Sequence, residues 1–334
     1  IYIKNILSKV YKYHMKILTV QNRMGIGDTV IFLPFIKALF NKFNSPISIL
    51  VKENSKADQY LYQTNYIDKI ILLERDKKIN RRHGGFLGSL NLIKDIKKHN
   101  FDKIFIFNSS LRYNLIAKLS GIPKVYQYPL FQKSRQHIID VPRQFLKDKL
   151  DLIVNEDPEV QIDNISISKS IERFQINKNE MNILLGVGGS GSTKRIPSNT
   201  FLSVIEKISK VKKCKFFLAT GKDDDEQIIL NEILHSKFKN LCIPLDNFSI
   251  KEILPIIKSC NLSICNDSSF SHLSAALGKK TITLMADTPL IYGNYSSKMF
   301  PIIPDGEETV SHNTLGKEKI NPQKIFDKII EIMN

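Results

Sequence analysis

The chain has 334 residues, 42% of them hydrophobic, and its 49 lysines and arginines outnumber its 33 acidic residues, which gives a net charge of +16. This length and composition predict about two globular domains and exclude a mainly disordered or low-complexity protein. The positive charge is typical of surfaces that attract nucleic acid, an anionic membrane or a phosphorylated substrate. Because the chain is also rich in Ile and Asn, a compositional bias without a function is the alternative, and charge alone does not choose among them.

Residues 1–14 precede the first predicted strand as a basic extension. Apolar residues stand at positions 3, 6, 7 and 10, and lysines at positions 4, 9 and 12. This pattern predicts an amphipathic helix that lies on an anionic membrane, and the alternative is an extension without membrane contact. Because the extension lacks the apolar core and cleavage site of a signal peptide, and no apolar run approaches the ~20 residues that span a bilayer, we expect a cytoplasmic protein.

From Met15 onward, short apolar runs alternate with helical patterns, as in parallel sheets covered by helices. We predict an N-terminal Rossmann-like domain over 15–165, a polar linker over 166–181, a C-terminal Rossmann-like domain over 182–319 and a closing helix over 320–334. The first domain has predicted strands at 16–21, 47–51, 69–73, 103–107 and 124–128, and helices at 28–43, 56–62, 88–98 and 111–119. The second has predicted strands at 182–187, 215–219, 241–243, 262–265 and 281–285, helices at 199–211, 225–236, 249–259 and 269–277, and an irregular stretch over 286–319.

Cysteines, histidines and acidic residues show no spacing typical of a metal site. The four cysteines stand in apolar contexts, and we predict reduced thiols in the core. The acidic run Asp223–Asp225 resembles the metal-holding motif of some nucleotide-sugar enzymes, but it leads into a helix, where carboxylates complement the helix dipole. We therefore predict no metal and no other cofactor.

The first candidate loop, Arg23–Asp28, joins a strand to a helix. Gly25 and Gly27 stand where the backbone must turn tightly or approach a ligand, but they do not complete the glycine fingerprint of a dinucleotide site. Asp28 has two interpretations, which are the cap of the helix and a general base that accepts a proton from a substrate hydroxyl. The sequence pattern alone leaves both open.

The second loop, Gly186–Pro197, again lies between a strand and a helix. It offers free backbone N–H groups, three hydroxyl side chains and the cations Lys194 and Arg195, which together suit a diphosphate. The alternative is a flexible surface loop. The loop lacks the order of a Walker A motif, so phosphoryl transfer from ATP is disfavoured. The candidate donor-binding residues here are Gly189, Ser190, Ser192, Thr193, Lys194 and Arg195.

The third loop, Asn266–His272, has the same position in its strand–helix unit. Asp267 and Ser268 stand where they can cap the helix, whose N-terminus presents backbone amides to an anion. His272 lies one helical turn beyond Ser268, so the two share a face. A lone histidine on a helix is usually structural, and the neighbourhood of the two other loops favours a functional one here.

Together the three loops resemble those of glycosyltransferase family 9, the ADP-heptose:lipopolysaccharide heptosyltransferases. The similarity runs from about Met15 to the end of the chain, and its pieces are specific in order and spacing. The pieces are the Met15–Val20 strand with Gly27-Asp28-Thr-Val, the loop Gly188-Gly-Ser-Gly with Lys194-Arg-Ile-Pro, and Asn266-Asp-Ser with His272-Leu-Ser-Ala-Ala-Leu-Gly.

The resemblance implies a GT-B fold, with two facing Rossmann-like domains and a C-terminal helix that packs back on the N-terminal domain. It implies an inverting, metal-independent glycosyltransferase that moves a heptose or a related sugar from ADP-heptose to a lipopolysaccharide core acceptor. Asp28 then matches the catalytic base, and Arg23, Gly25 and Gly27 its acceptor-side loop. Lys194 matches the family lysine that meets the diphosphate, and Asp267 and His272 match the pair near the sugar and the phosphates. Asp225 falls near an acidic residue that binds the ribose, and Phe248 falls near the position beside the adenine.

The partners implied are a nucleotide-sugar donor, an anionic lipid-linked saccharide acceptor and peripheral contact with the cytoplasmic face of the inner membrane. We expect a monomer that binds no nucleic acid, since nucleic-acid binding rests on charge alone. One alternative is a non-catalytic protein that binds nucleotide sugars or polyanions on the same fold, and another is a family member that uses another sugar or acceptor.

Overall fold

The computed structural model describes residues 15–23, 25–75, 82–130 and 137–333. The predicted membrane-binding extension 1–14 lies outside the described residues. The described part of the chain forms two compact units, each built on a parallel sheet covered by helices.

The first sheet has five parallel strands. They alternate with helices because short apolar strands, buried on both faces, need helical crossovers to run parallel. The strands are β1 (Ile17–Val20), β2 (Ile47–Lys52), β3 (Ile67–Leu73), β4 (Lys103–Ile106) and β5 (Lys124–Gln127), in the order β3-β2-β1-β4-β5. The helices over this part of the chain are α1 (Ile26–Phe43), α2 (Ala57–Tyr60), α3 (Gly85–Lys97), α4 (Leu111–Leu119) and α5 (Asp140–Leu150).

The second sheet has six parallel strands. They are β6 (Met181–Gly186), β7 (Cys214–Ala219), β8 (Cys242–Pro244), β9 (Leu262–Asn266), β10 (Lys280–Leu284) and β11 (Met299–Ile302), in the order β11-β10-β9-β6-β7-β8. The helices are α6 (Asn164–Arg173), α7 (Ser198–Val211), α8 (Asp224–Leu234), α9 (Ile250–Ser259), α10 (Ser269–Ala276) and α11 (Pro322–Met333). The strand order reverses between β9 and β6, and ligands of such folds bind outside the carboxyl ends of the strands at such a reversal.

The division into units differs from the predicted domain boundaries. The first unit takes in the described residues of 1–23, 35–53 and 65–154, and the second takes in 24–34, 54–64 and 155–334. The predicted N-terminal domain of 15–165 is therefore not continuous. The first half of α1 and the segment that contains α2 are grouped with the second sheet.

Three elements lie where the sequence pattern predicts none. Helix α6 occupies much of the predicted linker 166–181, and it begins where the Asp163 carboxylate accepts the Ser166 backbone N–H at 2.6 Å. Strand β11 falls within the stretch 286–319 that the sequence predicts as irregular, and it pairs in parallel with β10. Helix α5 is the third such element.

The predicted packing of the closing helix on the N-terminal domain is wrong. The helix begins as predicted, since Asn321 caps it by accepting the Gln323 backbone N–H at 2.9 Å. Its apolar residues Ile325, Ile329 and Ile332, however, are buried in the core of the second unit. Helix α11 packs on α7, β10 and β11 because this face of the second sheet leaves an apolar surface for its isoleucine stripe.

The four cysteines are buried free thiols, as predicted, and burial raises their pKa values above the ordinary range. Among the helices that the structure describes, none is long and apolar enough to cross a bilayer.

Candidate active site

A pocket of 810 Å³ opens in the second unit at the carboxyl ends of its central strands. Its walls are the loops after β6, β7 and β9, the start of α9, the first turn of α1 and the segment around α2. The three loops singled out from the sequence each contribute to it. They supply Gly25, Gly27, Asp28, Gly189, Ser190, Lys194, Asp267, Ser268 and His272 to the lining.

Asp28 lies in the first turn of α1, inside the helix. The helix begins at Ile26, so Asp28 is the third helical residue and does not occupy the N-cap position. Gly25, which has a φ of +98°, sits beneath the Asp28 carboxylate, and its left-handed backbone turns the chain into the helix. A carboxylate at this end of a helix is stabilised by the helix dipole, and Asp28 lines the pocket.

Gly27 brings the start of α1 directly against the His272 imidazole. A Cβ at position 27 would stand 2.5 Å from the His272 Cδ2 atom, which is closer than carbon atoms approach one another. Glycine is therefore required here for the approach of backbone to ring. This contact places His272 next to the residue that precedes Asp28.

Lys194 and Asp267 form an ion pair in the pocket. The Lys194 Nζ atom donates to the Asp267 Oδ2 atom at 2.9 Å, and the side chains are 22% and 6% exposed. Burial raises the pKa of the Asp267 carboxyl, but the charge and hydrogen bond of Lys194 lower it, and the pKa of Asp267 lies below the ordinary value. The pair holds an ammonium in the pocket wall where a negatively charged ligand can reach it.

His272 is a neutral side chain held from two sides. Its Nδ1 atom lies 2.8 Å from the hydroxyl of Tyr295, and its Nε2 atom lies 3.8 Å from Asp267. Burial lowers the pKa of His272, and the nearby Asp267 offsets this only in part. Burial also raises the pKa of Tyr295 well above its ordinary value, so its hydroxyl keeps its proton and can donate it to Nδ1. The sequence pattern did not find Tyr295, which comes from the stretch predicted as irregular.

The His272 environment predicts a loss of stability on mild acidification. In the unfolded chain a histidine binds a proton near pH 6.5, whereas in the folded chain the lowered pKa keeps His272 neutral at that pH. The unfolded state therefore binds more protons below about pH 6.5, and the free energy of unfolding falls as the pH drops from there towards the folded-state pKa. In His272→Gln this part of the pH dependence disappears, which urea unfolding between neutral and mildly acidic pH measures.

A pH dependence that is the same in His272→Gln and in the parent chain would contradict a neutral, buried His272. The exposed His235→Gln is the matched control and keeps the parent dependence.

Arg195 does not face the pocket, in contrast to its predicted role at the diphosphate. Its buried guanidinium donates to the Gly189 carbonyl and to the carboxylates of Asp223 and Asp225, each at 2.9 Å. A buried cation needs such partners to offset the loss of hydration. Arg195 therefore ties the β6 loop to the start of α8, and two carboxylates of the acidic run serve this cation.

Replacing Arg195 tests this structural role. Arg195→Lys keeps the charge but loses the planar fork that reaches three acceptors, so we expect the free energy of unfolding to fall by about 1–2 kcal/mol. Arg75→Lys, at an exposed arginine, is expected to change it by at most ~0.5 kcal/mol. Urea unfolding measures both. Unchanged stability with weakened donor binding would support the diphosphate role predicted from the sequence.

Glu226, which the sequence pattern missed, is the acidic residue of α8 that lines the pocket in place of Asp225. It is buried, and its Oε1 atom accepts the Gly189 backbone N–H at 2.7 Å. A Cβ at Gly188 or at Gly221 would overlap its carboxylate, at 2.6 and 2.1 Å from the nearest oxygen. The two glycines thus admit Glu226 between the loops after β6 and β7. The sequence did contain a signal for this contact, because a glycine in each of the two loops permits the close approach of a neighbouring side chain.

Phe248 lines the pocket, as the sequence predicts. Its ring contacts two side chains at the C-terminal end of α6. The Phe174 ring meets it edge to face with centroids 5.2 Å apart, and the Arg173 guanidinium lies 4.8 Å from its centroid. Arg173 in turn pairs with Glu252 at 3.4 Å. The helix that the sequence pattern missed therefore supports one wall of the pocket.

The remaining predicted residues lie outside the pocket lining. The Thr193 side chain hydrogen-bonds to Asp287, and the exposed Ser192 accepts the Lys317 ammonium at its backbone carbonyl, at 3.2 Å. Arg23 belongs to the first unit, where its backbone N–H donates to the Gln21 side chain at 3.0 Å. Arg23, Ser192 and Thr193 are therefore not among the residues that line the pocket.

The family model described as glycosyltransferase family 9 (heptosyltransferase) matches residues 90–328. The chain belongs to glycosyltransferase family 9. This confirms the resemblance predicted from the loop motifs. As a member of this family the chain is a glycosyltransferase, and the loops that carry the family's motifs are the ones that line the pocket.

Relatives of the family 9 chain agree with this assignment. Lipopolysaccharide heptosyltransferase 1 of Campylobacter coli is 25% identical over 327 residues, which cover 88% of this chain and 90% of the relative. The solved glycosyltransferase family 9 protein of Veillonella parvula superposes with a TM-score of 0.78 at 17% identity, over 96% of this chain and 97% of that one. The structure of E. coli ADP-heptose lipopolysaccharide heptosyltransferase II gives a TM-score of 0.71 at 17% identity, over 96% of this chain and 98% of that one. These likenesses confirm the GT-B fold class.

Proposed function

We propose that this chain transfers a heptose, or a related sugar, from ADP-heptose to an acceptor of the lipopolysaccharide core, with inversion at the anomeric carbon and without a metal ion. The names of the relatives support the donor and acceptor classes. The observation that carries the proposal is that Asp28 lines one pocket with the Lys194–Asp267 pair and His272.

The donor diphosphate occupies the part of the pocket formed by the loops after β6 and β9. Lys194 supplies a cation there, Ser190 a hydroxyl, and the start of α10 supplies backbone amides beside Asp267. Lys222, which also lines the pocket, adds positive charge on the β7 loop. The nucleoside lies towards Phe248 and Glu226, which supply an apolar ring and an acidic acceptor to the pocket lining.

Asp28 is the general base. As the acceptor hydroxyl attacks the anomeric carbon, its proton passes to the Asp28 carboxylate and a new carbon–oxygen bond forms. The bond from the anomeric carbon to the diphosphate oxygen breaks, and its electron pair leaves with ADP. Attack from the face opposite the leaving group inverts the configuration. One positioned base of this kind contributes roughly 10²- to 10⁴-fold to the rate.

Positive charge of the protein stabilises the departing ADP. Negative charge grows on the diphosphate oxygens as the bond breaks, and fixed donors aimed at that charge lower the barrier by a few kcal/mol each, ~3 kcal/mol for a single donor. Lys194, already fixed by Asp267, and the backbone N–H groups of the two loops are such donors. We propose that they take the place of a divalent cation.

A panel of nucleoside diphosphates tests the donor assignment. Ligands that bind the folded state alone raise the melting temperature, and the rise grows with the logarithm of the ratio of ligand concentration to Kd. We expect ADP to raise it more than GDP, UDP or dTDP at equal concentration, and ADP-heptose to raise it further. A larger shift with UDP or GDP would contradict an adenine nucleotide donor.

We also propose that the chain works as a monomer at the cytoplasmic face of a membrane, where a lipid-linked acceptor is exposed. Size-exclusion chromatography with light scattering tests the first part. A stable dimer at low protein concentration would contradict it.

A further inference from the structure

Helices α3 and α4 carry an unusual share of the exposed apolar surface. Six of the fourteen large apolar side chains that are exposed in the described part of the chain lie on these two short helices. Phe86 is 80% exposed and Leu87 is 74% exposed, which is rare for side chains of this size. The six are Phe86, Leu87, Leu90, Leu111, Leu115 and Leu119.

Both helices cover the same face of the first sheet. Their inward residues, among them Leu92 and Ile96 of α3 and Ile116 and Ala117 of α4, are buried in one apolar core. The outward residues of the two helices therefore point to the same side of the first unit. Leu111, Leu115 and Leu119 recur every four residues and so form one stripe along α4.

Exposed lysines stand at the ends of the same two helices. Lys94, Lys97 and Lys98 stand at the end of α3, and Lys118 stands at the end of α4. The acidic residue of this segment, Asp95, is already paired with Arg82 and Lys98 at 2.8 Å each. We call the six apolar side chains and these four lysines the α3–α4 face, and it carries a net positive charge.

Hydrogen bonds between the two helices and the segment before α3 support the α3–α4 face. The buried His83 lies 3.2 Å from the Asp95 carboxylate, and its Nδ1 atom accepts the Glu74 backbone N–H at 3.1 Å. Arg112 of α4 donates to the Ser89 hydroxyl of α3 at 3.0 Å and also to the His83 carbonyl. The two helices are thus joined by hydrogen bonds, and their outward side chains are presented on a fixed platform.

We propose that the α3–α4 face docks on the surface of an anionic lipid bilayer. Exposed aromatic and leucine side chains enter the boundary between headgroups and acyl chains, while the lysines meet anionic headgroups. Nucleic acid would use the lysines but offers no partner for six apolar side chains. A second copy of the chain would bring two positively charged faces together. This inference goes beyond sugar transfer and does not depend on the identity of the donor.

Vesicle flotation tests the docking surface. The full chain is mixed with vesicles of phosphatidylcholine, with or without phosphatidylglycerol, and the floated fraction is measured. We expect binding to the vesicles with phosphatidylglycerol. The variant Lys94→Gln/Lys97→Gln/Lys118→Gln is expected to bind them roughly 100-fold more weakly, since each cation near an anionic surface contributes about fivefold. Phe86→Gln/Leu87→Gln/Leu115→Gln is expected to lose at least about tenfold.

Matched controls remove the same residue types elsewhere. Ile153→Gln/Ile165→Gln/Ile228→Gln and Lys212→Gln/Lys239→Gln/Lys319→Gln change exposed positions outside the α3–α4 face and are expected to bind as the parent does. Circular dichroism and the melting-temperature shift with ADP follow the fold and the pocket. We expect the circular dichroism spectrum and the melting-temperature shift with ADP to stay unchanged in all four variants. A failure of lipid docking is therefore distinguishable from a failure of the donor assignment.

Several results would overturn the proposal. They are equal flotation of the α3–α4 variants and the controls, loss of flotation on deletion of residues 1–14 with no effect of the α3–α4 variants, and binding to nucleic acid in place of vesicles. A change of oligomeric state in the α3–α4 variants without lipid would instead assign this face to contact between two copies of the chain.

Discussion

Asp28→Asn is expected to lower the turnover of sugar transfer by about 10²- to 10⁴-fold, with the fold and the donor affinity kept. The amide fills the space of the carboxylate in the first turn of α1 but cannot accept the proton of the acceptor hydroxyl. Steady-state transfer assays measure the turnover, and the melting-temperature shift with ADP reports donor binding separately.

The control for Asp28 is Asp58→Asn. Asp58 also lies in the first turn of a helix, α2, but it is exposed and does not line the pocket. We expect its replacement to leave turnover unchanged. A positioned base contributes at least about 100-fold to the rate. If Asp28→Asn retains more than about a tenth of the parent turnover, Asp28 is therefore not the general base.

Lys194→Met is expected to weaken ADP binding and to destabilise the fold at the same time. The substitution removes the cation from the diphosphate site and leaves the buried Asp267 carboxylate without its partner. Breaking a buried pair from one side costs about 3 kcal/mol. Without Lys194, burial raises the pKa of Asp267, so the variant is most destabilised at neutral pH. Calorimetry with ADP and urea unfolding measure the two effects.

The double variant Lys194→Met/Asp267→Asn separates stability from ligand binding. The neutral amide needs no cation, so most of the lost free energy of unfolding is recovered, while ADP binding stays weak. Recovery of both properties in the double variant would mean that Lys194 acts only through Asp267, which would contradict its role at the diphosphate.

The sequence predicted ten of the eleven strands that the structure describes because most of them contain a short apolar run between helical patterns. Helix α6 escaped prediction because its Ile-Ser-Ile-Ser stretch alternates with the period of a strand. Its cap, Asp163, was the available signal. The predicted packing of α11 was wrong because an apolar stripe indicates that one face of a helix is buried but does not indicate which core it packs against.

Each of the three loops was predicted to follow a strand at the carboxyl end of a parallel sheet, where ligands of such folds bind, and the structure brings Asp28, Lys194, Asp267 and His272 to one pocket. Contacts within the site could not be predicted in the same way. Arg195 follows Lys194 in sequence but turns inward, because the short 3₁₀ turn Ser192–Lys194 ends before it and Arg195 itself has extended backbone. Tyr295 is distant in sequence, and only the fold shows that it faces His272.

Incubation of the chain with ADP-heptose, a lipopolysaccharide core acceptor and a metal chelator tests sugar transfer most directly. Mass spectrometry and NMR of the product follow the reaction. We expect the acceptor to gain one heptose for each ADP released, with the anomeric configuration opposite to that of the donor and with full activity in the chelator. No transfer from ADP-heptose, or a product that keeps the configuration of the donor, would contradict the proposed reaction.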